Sequence, residues 1–329
     1  MARMRRPTRW LAVLPLLLAA CGGDEEDPDG DAPSGGASVS TEASTDVPSY
    51  VAARVSTGHK PCGVLGVEGT LWVSNYGDDT LVTVDPATGA VGEPVPTGDA
   101  PCGLAYGAGA IWVEDYGSDQ VTRVSVTDGT VEATYDVGSQ PYDVTFADGA
   151  AWVTNYGDGT VSRIDARTGT VTSIDTGGTP IGIAPAAGKV WVGLGADGIA
   201  AIDTATGAVS DTVQTDGKAG WTAYDADHVW VNVDATVVQV DPATATVTRT
   251  VAVGDRPEDG TVADGRVWVG DGGAGGDLYW FPVDGDDTQA RSVPSTVHNP
   301  FVAAELDGQL WLVDFVGTEV VRIDPGQIG

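Results

Sequence analysis

The chain has 329 residues, 46 of them glycine, and a formal net charge of −31 at pH 7. That charge excludes the basic footprint a nucleic-acid binder needs, and it opposes peripheral docking on anionic lipid. The length accommodates one large domain or two.

The first ten residues, MARMRRPTRW, hold four arginines, and the next ten, LAVLPLLLAA, form an apolar run. A basic start, a short apolar stretch and small residues before a cleavage point describe a secretory signal over 1–20, too short to span a bilayer. LAAC, Leu18 to Cys21, resembles the lipobox of bacterial lipoproteins. The resemblance implies cleavage before Cys21, lipidation of that cysteine and stable anchoring at the outer face of the cytoplasmic membrane. Loss of the four signal arginines takes the net charge to −35. From Gly22 to Ser49 there are eight acidic groups and no large apolar residue beyond single valines. Residues 21–49 therefore read as a disordered, self-repelling acidic tether.

The rest, 50–329, is built from repeats. Trp72, Trp112, Trp152, Trp191, Trp230, Trp268 and Trp311 recur at spacings of 40, 40, 39, 39, 38 and 43. A landmark ends ten residues before each: KPC, APC, QPY, TPI, KAG, RPE and NPF. Each copy parses into four short strands separated by turns. In the first, these are Cys62 to Val67, Leu71 to Tyr76, Thr80 to Asp85 and Ala90 to Pro96. Four strands in about 40 residues is the blade of a β-propeller, so the predicted fold is all-β with seven four-stranded blades. Trp72 and Val73 are both apolar although neighbours on a strand point oppositely, as expected of a blade covered on both faces. The seventh copy has three strands of its own. Tyr50 to Pro61 looks like the outer strand that precedes other repeats, so it is expected to complete the last blade and close the ring.

The stretch AWVTNYGDGTVSRIDARTGTV, with VGSQP before it, resembles the YVTN family of seven-bladed repeats found in exported and surface proteins. The family implies a propeller and an exported location, and no agreed chemistry. Blade two departs with WVEDYGSD, and blades four to six lack the Asn-Tyr pair. A more distant likeness is to the streptogramin lyases, which are also seven-bladed and imply an enzyme acting in the funnel.

The interval from each tryptophan to the following turn aspartate or its equivalent is 13 in four blades, 12 in blade four, 11 in blade five and 16 in blade six. Variation thus falls in the loop between strands two and three, on the face where the chain enters each inner strand. Variation confined to one face marks the likelier binding face. There, Tyr142, Asp143, Trp221, Glu258 and Asp259 break the uniformity of the inner ring. Aromatics beside carboxylates in a concave mouth suit a small cationic or sugar-like ligand, with Trp221 offering a cation–π face. A protein partner is the other binding expectation. His59 and His298, each two residues before a proline, join the same rim as candidate ligand-binding groups. His228 falls on the opposite face. Two histidines without a third ligand do not make a metal centre, and neither metal nor cofactor is expected. GDGGAGGD in blade six has no lysine and no following helix, so it reads as a flexible loop. No Ser-His-Asp order is present. The expected function is a tethered ligand-binding or protein-interaction scaffold, with a lyase-like propeller enzyme as the alternative. Cys62 and Cys102 hold equivalent positions in adjacent blades, and a disulfide and two buried thiols both fit.

Overall fold

A computed structural model describes residues 47–225, 227–272 and 276–329, the side chains of 301–303 excepted. The expected signal, the expected lipidation at Cys21 and most of the expected tether fall within 1–46, outside the described residues; the centre of the blade-six loop, at 273–275, also lies outside them.

Blade two shows the building unit. Pro101–Gly107 lies innermost, followed outward by Ala110–Asp115, Gln120–Ser125 and Val131–Asp136. The first two strands are joined through Ala108 and Gly109, whose φ angles are 51° and 73°. Two successive positive φ values make a type I′ turn, whose twist matches that of the strands it joins. The pairs Glu68–Gly69, Asp148–Gly149, Ala187–Gly188, Asp264–Gly265 and Asp307–Gly308 repeat it. The turn before the outer strand is built by aspartate. Asp85, Asp165 and Asp241 each accept the backbone N–H groups two and three residues ahead, the Asx arrangement that fixes a turn locally.

Seven such antiparallel sheets make up the all-β seven-bladed propeller. The seven repeated tryptophans are between 0% and 4% exposed. Trp72 packs with Ile111, Val113 and Val124 of blade two, whereas its neighbour Val73 packs with Trp311 and Val320 of blade seven. Trp112 likewise joins Val144, Val153 and Ile164 of blade three. The doublet is therefore apolar because its two side chains serve two different interfaces. Basic side chains from the third strand lie over several of these rings, including Arg123 over Trp112 at 5.1 Å, Arg163 over Trp152 at 5.5 Å and Arg322 over Trp311 at 5.8 Å.

The ring is closed by the N-terminal strand. Val51–Ser56 pairs antiparallel with Glu319–Ile323, as the outermost strand of the sheet that holds Pro300–Leu306 and Gln309–Asp314. Tyr50 Oη adds a hydrogen bond to the Pro294 carbonyl at 2.7 Å, and Arg54 pairs with Glu319 at 3.3 Å. The outer strand of blade one is shorter than the sequence reading placed it. It spans only Val95–Pro96, preceded by an isolated bridge between Val84 and Val91. The intervening GEP and the following proline remove ladder donors or weaken the strand, which confines proline to such edges. Near the axis, Cys62 and Cys102 form a disulfide, with Cα atoms 4.9 Å apart. It staples the inner strands of blades one and two.

Deleting Tyr50 to Ser56 should expose the edge of blade seven and produce aggregation or a large fall in melting temperature, whereas deleting Gly22 to Thr41 should leave it unchanged. Equal melting temperatures for the two truncations would contradict closure by this strand. Replacing Cys62 and Cys102 together by alanine should cost roughly 3–4 kcal/mol, read by denaturant titration. Alkylation of the unreduced, unfolded protein should modify neither cysteine.

Candidate functional site

One face of the ring collects the links into the inner strands and the loops between strands two and three. Backbone bonds tie them blade by blade: Tyr76 N and Gly77 N donate to Lys60 O and His59 O, Tyr116 N and Gly117 N to Ala100 O and Asp99 O, and Tyr156 N and Gly157 N to Gln140 O and Ser139 O. Loop aspartates reinforce the same contacts. Asp78 accepts from His59 N, Asp79 from Ala100 N, Asp119 from Gln140 N, Asp158 from Ser139 N and Asp271 from Arg256 N. Much of the negative charge on this face thus holds backbone in place.

Six of the seven inner strands begin with an irregularity, blade four being the exception. The register jumps from Pro61 opposite Asn75 to Val64 opposite Val73, and from Pro101 opposite Asp115 to Leu104 opposite Val113. Blade three jumps from Pro141 opposite Asn155 to Asp143 opposite Thr154. Such bulges turn backbone groups out of the ladder and commonly re-aim side chains beside functional sites. The released N–H groups of Gly63, Gly103 and Asp143 are taken up by the second strand: by Ser74 Oγ at 2.8 Å, Glu114 Oε1 at 2.8 Å and Thr154 Oγ1 at 3.0 Å. Ser74 and Thr154 then donate their hydroxyls onward to the next blade, to Cys102 O and Ile181 O, both at 2.7 Å. Glu114 stands where those hydroxyls stand. It is fully buried, and its Oε2 has no hydrogen-bond partner.

Two further carboxylates reach the axis from inner strands. Asp143 accepts Val144 N at 2.8 Å and, across the interface, Ile183 N of blade four at 2.9 Å. Asp259 accepts Gly260 N at 2.7 Å. Burial pushes Asp143 up to about 7, against the pull of those two backbone donors. Burial also raises Glu114 well above the carboxylate range, helped by the charges of Asp115 and Asp143. Asp259 is raised by burial and then by the charges of Asp143 and Glu258. Among the described residues, no lysine or arginine pairs with Glu114, Asp143 or Asp259. Behind Glu114, Asp115 is also fully buried; it accepts from Thr122 Oγ1 at 2.6 Å, and burial lifts it to about 7.

The expected site residues separate into groups. Asp143 and Asp259 share the axial cluster through their mutual charge. Glu258, beside them, is held by the Arg256 guanidinium, which offsets its charge. Tyr142 sits in a tilted pair with Tyr156, ring centres 6.0 Å apart. Trp221 is a correction: it is 6% exposed and packs in the interface with Val267, Val269 and Phe281 of blade six, its ring edge against Gly260. It wedges two blades and turns no open face to a ligand, because in blade five the position that carries Asp143 elsewhere is filled by a side chain large enough to reach the next sheet. His59 and His298 stand on the loops of this face, paired with Asp78 at 2.7 Å and Asp314 at 3.8 Å. A groove of about 440 Å³ beside His59 is lined by Lys60, Tyr76, Gly77, Val316, Gly317 and Thr318. His228 lies at the inner hairpin of blade five, 3.3 Å from Asp225. Glu114 is the member that sequence reasoning missed. Its signal lay in WVEDYGSD, where Glu114 replaces Ser74 and Thr154, and Asp115 replaces Asn75 and Asn155.

No family model matches the chain, and no curated protein matches it. Among solved structures it is similar to Kuenenia stuttgartiensis hydrazine synthase, at 15% identity and a TM-score of 0.69, over 86% of this chain and 98% of that one. It is also similar to the computationally designed Ika8 protein, at 14% identity and a TM-score of 0.61, over 82% of this chain and 98% of that one. At these identities the likeness is one of fold.

The carboxylates predict an unusual pH profile. Backbone donors hold Asp78, Asp85, Asp165 and Asp241 below the usual value, so their stabilisation is present above about pH 4 and lost as pH falls further. Glu114, Asp115, Asp143 and Asp259 are raised, so folding favours their protonated forms and stability declines as pH rises from about 4 through 7. The melting temperature should therefore peak between about pH 4 and 6. Asp115→Asn should raise stability at alkaline pH by roughly 1–3 kcal/mol and flatten that limb. A melting temperature that climbs steadily to alkaline pH would contradict these assignments.

Proposed function

We propose that this chain is a surface-tethered lipoprotein whose propeller is a binding module, taking a small cationic ligand at the axial mouth. In this reading residues 1–20 are the signal, Cys21 carries the lipid, 21–49 form the tether and 50–329 form the module. The observation that carries the binding role is the meeting of Glu114, Asp143 and Asp259 near the axis without a basic partner. Burying carboxylates costs free energy unless they are protonated or paired with a cation. The ionised cluster therefore favours a positively charged guest. A negative mouth also draws cations in from solution. Sugar-like ligands and protein partners draw no comparable support from an unpaired acidic axis.

A second reading, a lyase-like propeller enzyme, is supported by one feature. The His59–Asp78 pair, next to the groove of about 440 Å³, is a histidine–carboxylate arrangement suited to general acid–base work.

The test is native mass spectrometry of the full chain extracted from the membranes of its own host. The binding reading expects a retained small molecule that Asp259→Asn releases and His228→Ala, on the far face, does not. Cys21→Ser should shift the protein from the membrane fraction to the soluble one. A protein that carries no ligand and stays with the membrane after Cys21→Ser would overturn both halves. Loss of a turnover activity in His59→Ala, with the ligand still retained, would favour the enzyme.

A further inference from the structure

The groove beside His59 departs from the grooves that the repeat builds elsewhere on the same face. Each is bounded by three pieces of chain: the loop between strands two and three of one blade, the link into the next inner strand, and the next blade's own loop. Backbone bonds fix the correspondence, since Thr57 N donates to Thr318 O as Thr97 N does to Asp79 O and Val137 N to Asp119 O. Between blades one and two the pieces are Gly77 to Asp79, Asp99 with Ala100, and Tyr116 with Gly117. Between blades two and three they are Gly117 to Asp119, Ser139 with Gln140, and Tyr156 with Gly157. At the seam between blades seven and one they are Val316 to Thr318, His59 with Lys60, and Tyr76 with Gly77. The two walls come from opposite ends of the propeller's chain, so this groove forms only when the ring closes.

The departures at the seam run in one direction, from acidic to basic and from glycine to apolar. Asp79 and Asp119 each accept the N–H of the residue before an inner strand, Ala100 and Gln140. At the seam that position is Thr318, and Lys60 N donates to the Gly317 carbonyl instead. A backbone carbonyl thus takes the place of a carboxylate, and none of the groove's lining residues is acidic. Where the other two links carry Ala100 and Gln140, the seam carries Lys60. It is exposed, and among the described residues no carboxylate stands within ion-pair distance of it. Val316 replaces Gly77 and Gly117 after the loop aromatic, and it is 62% exposed. Of the flanking acids, Asp78 has both oxygens engaged by His59, at N and at Nδ1, each at 2.7 Å. Glu319, beyond Thr318, is held by Arg54 at 3.3 Å.

The groove offers about 440 Å³ and is reached from solvent past His59, Lys60, Gly77 and Thr318, all exposed. An accessible cationic group beside apolar surface, on an otherwise acidic face, selects an anion with an apolar body. The ammonium of Lys60 supplies three donors and one positive charge. That single charge matches a monoanion, whereas a phosphate group carries nearly two and would keep an excess among the flanking acids. We propose that the seam groove binds a small carboxylate with an apolar body, its carboxylate on Lys60 Nζ and its body against Val316 and Tyr76. The inference is independent of the axial binding role and requires no catalysis at His59.

The experiment is isothermal titration calorimetry of the full chain in detergent with hydrocinnamate, against a detergent blank, at about 0.15 M salt so that more distant acids are screened. One site is expected. Lys60→Gln and Thr318→Asp should each weaken it by at least about tenfold, and Val316→Gly by about threefold or more. Each substitution installs a residue the repeat already carries there, namely Gln140, Asp79 and Gly77. Gln140 even shares the left-handed backbone of Lys60, with φ of 51° against 49°. A thermal melt confirms that each variant is folded. Lys218→Gln, an equal charge change at the corresponding link of blade five, should have no effect, and neither should Asp259→Asn. Hydrocinnamamide and phenylpropylamine, which keep the body and change the charge, should bind at least about tenfold more weakly. No heat above the blank, an affinity unchanged by Thr318→Asp, or an amide that binds as tightly as the acid would overturn the proposal. Equal weakening by Lys60→Gln and Lys218→Gln would overturn it too, by reducing the effect to net charge. If Asp259→Asn abolishes binding and Lys60→Gln does not, the carboxylate sits in the axial mouth and the seam groove is not its site.

Discussion

A propeller blade has no solvent-facing side of its own: each sheet buries both faces against neighbours, and this works only if the row of sheets returns to its start. Here the return is made by six residues, Val51–Ser56, paired against Glu319–Ile323. Without that seam the outer edge of blade seven would present unpaired backbone groups. The contacts of Leu71 and Val73 with Trp311 and Val320 would also stand at a free end. The seam completes the outer edge of the blade-seven sheet, while the inner strands converge near the axis. The Cys62–Cys102 bond acts at the same radius, with Cα atoms 4.9 Å apart.

The acidic composition divides into two populations with opposite physics. On the loops and turns, aspartates such as Asp78, Asp85 and Asp165 accept backbone N–H groups, and those donors hold their carboxyls low. They are ionised where the protein is stable, and they act as local staples. Near the axis, burial pushes Glu114, Asp143 and Asp259 the other way, and neighbouring acids add to the shift at Glu114 and Asp259. The difference lies in what surrounds each carboxylate, since both populations include aspartates that accept two backbone donors. Asp143 accepts from Val144 and Ile183, yet the half-buried carboxyl is desolvated enough that the donors only partly compensate.

Blade two departs from its neighbours at two consecutive positions of its second strand. Glu114 and Asp115 replace a hydroxyl residue and an asparagine, so two buried acids stand where blade three has Thr154 and Asn155. The Thr154 hydroxyl serves its own inner strand and the next blade at any pH, whereas a buried acid escapes the cost of its charge only when protonated or paired. A repeat architecture tolerates this because each blade contacts only its neighbours. One blade can therefore be altered without disturbing the rest of the ring.

The number of blades, their four-strand composition and the closing strand were legible in the sequence because they rest on local rules. Apolar alternation, turn chemistry at Asp-Gly pairs and a tryptophan every 38 to 43 residues all act within one repeat. The short outer strand of blade one was misread because valines suggest a strand where the prolines forbid a ladder. Trp221 read as a candidate ligand platform, since its uniqueness was visible and the neighbouring sheet that covers it was not. Glu114 was overlooked for the converse reason: on its own strand it is one more acid in an acidic chain. Its significance arises only when the ring brings it to Gly103, Asp143 and the axis. The sequence by itself determined the blades, the turns and the closing strand, because period and turn preference act between near neighbours. Only the tertiary structure decided which carboxylates lose their water and meet, because that depends on how seven sheets converge on one axis.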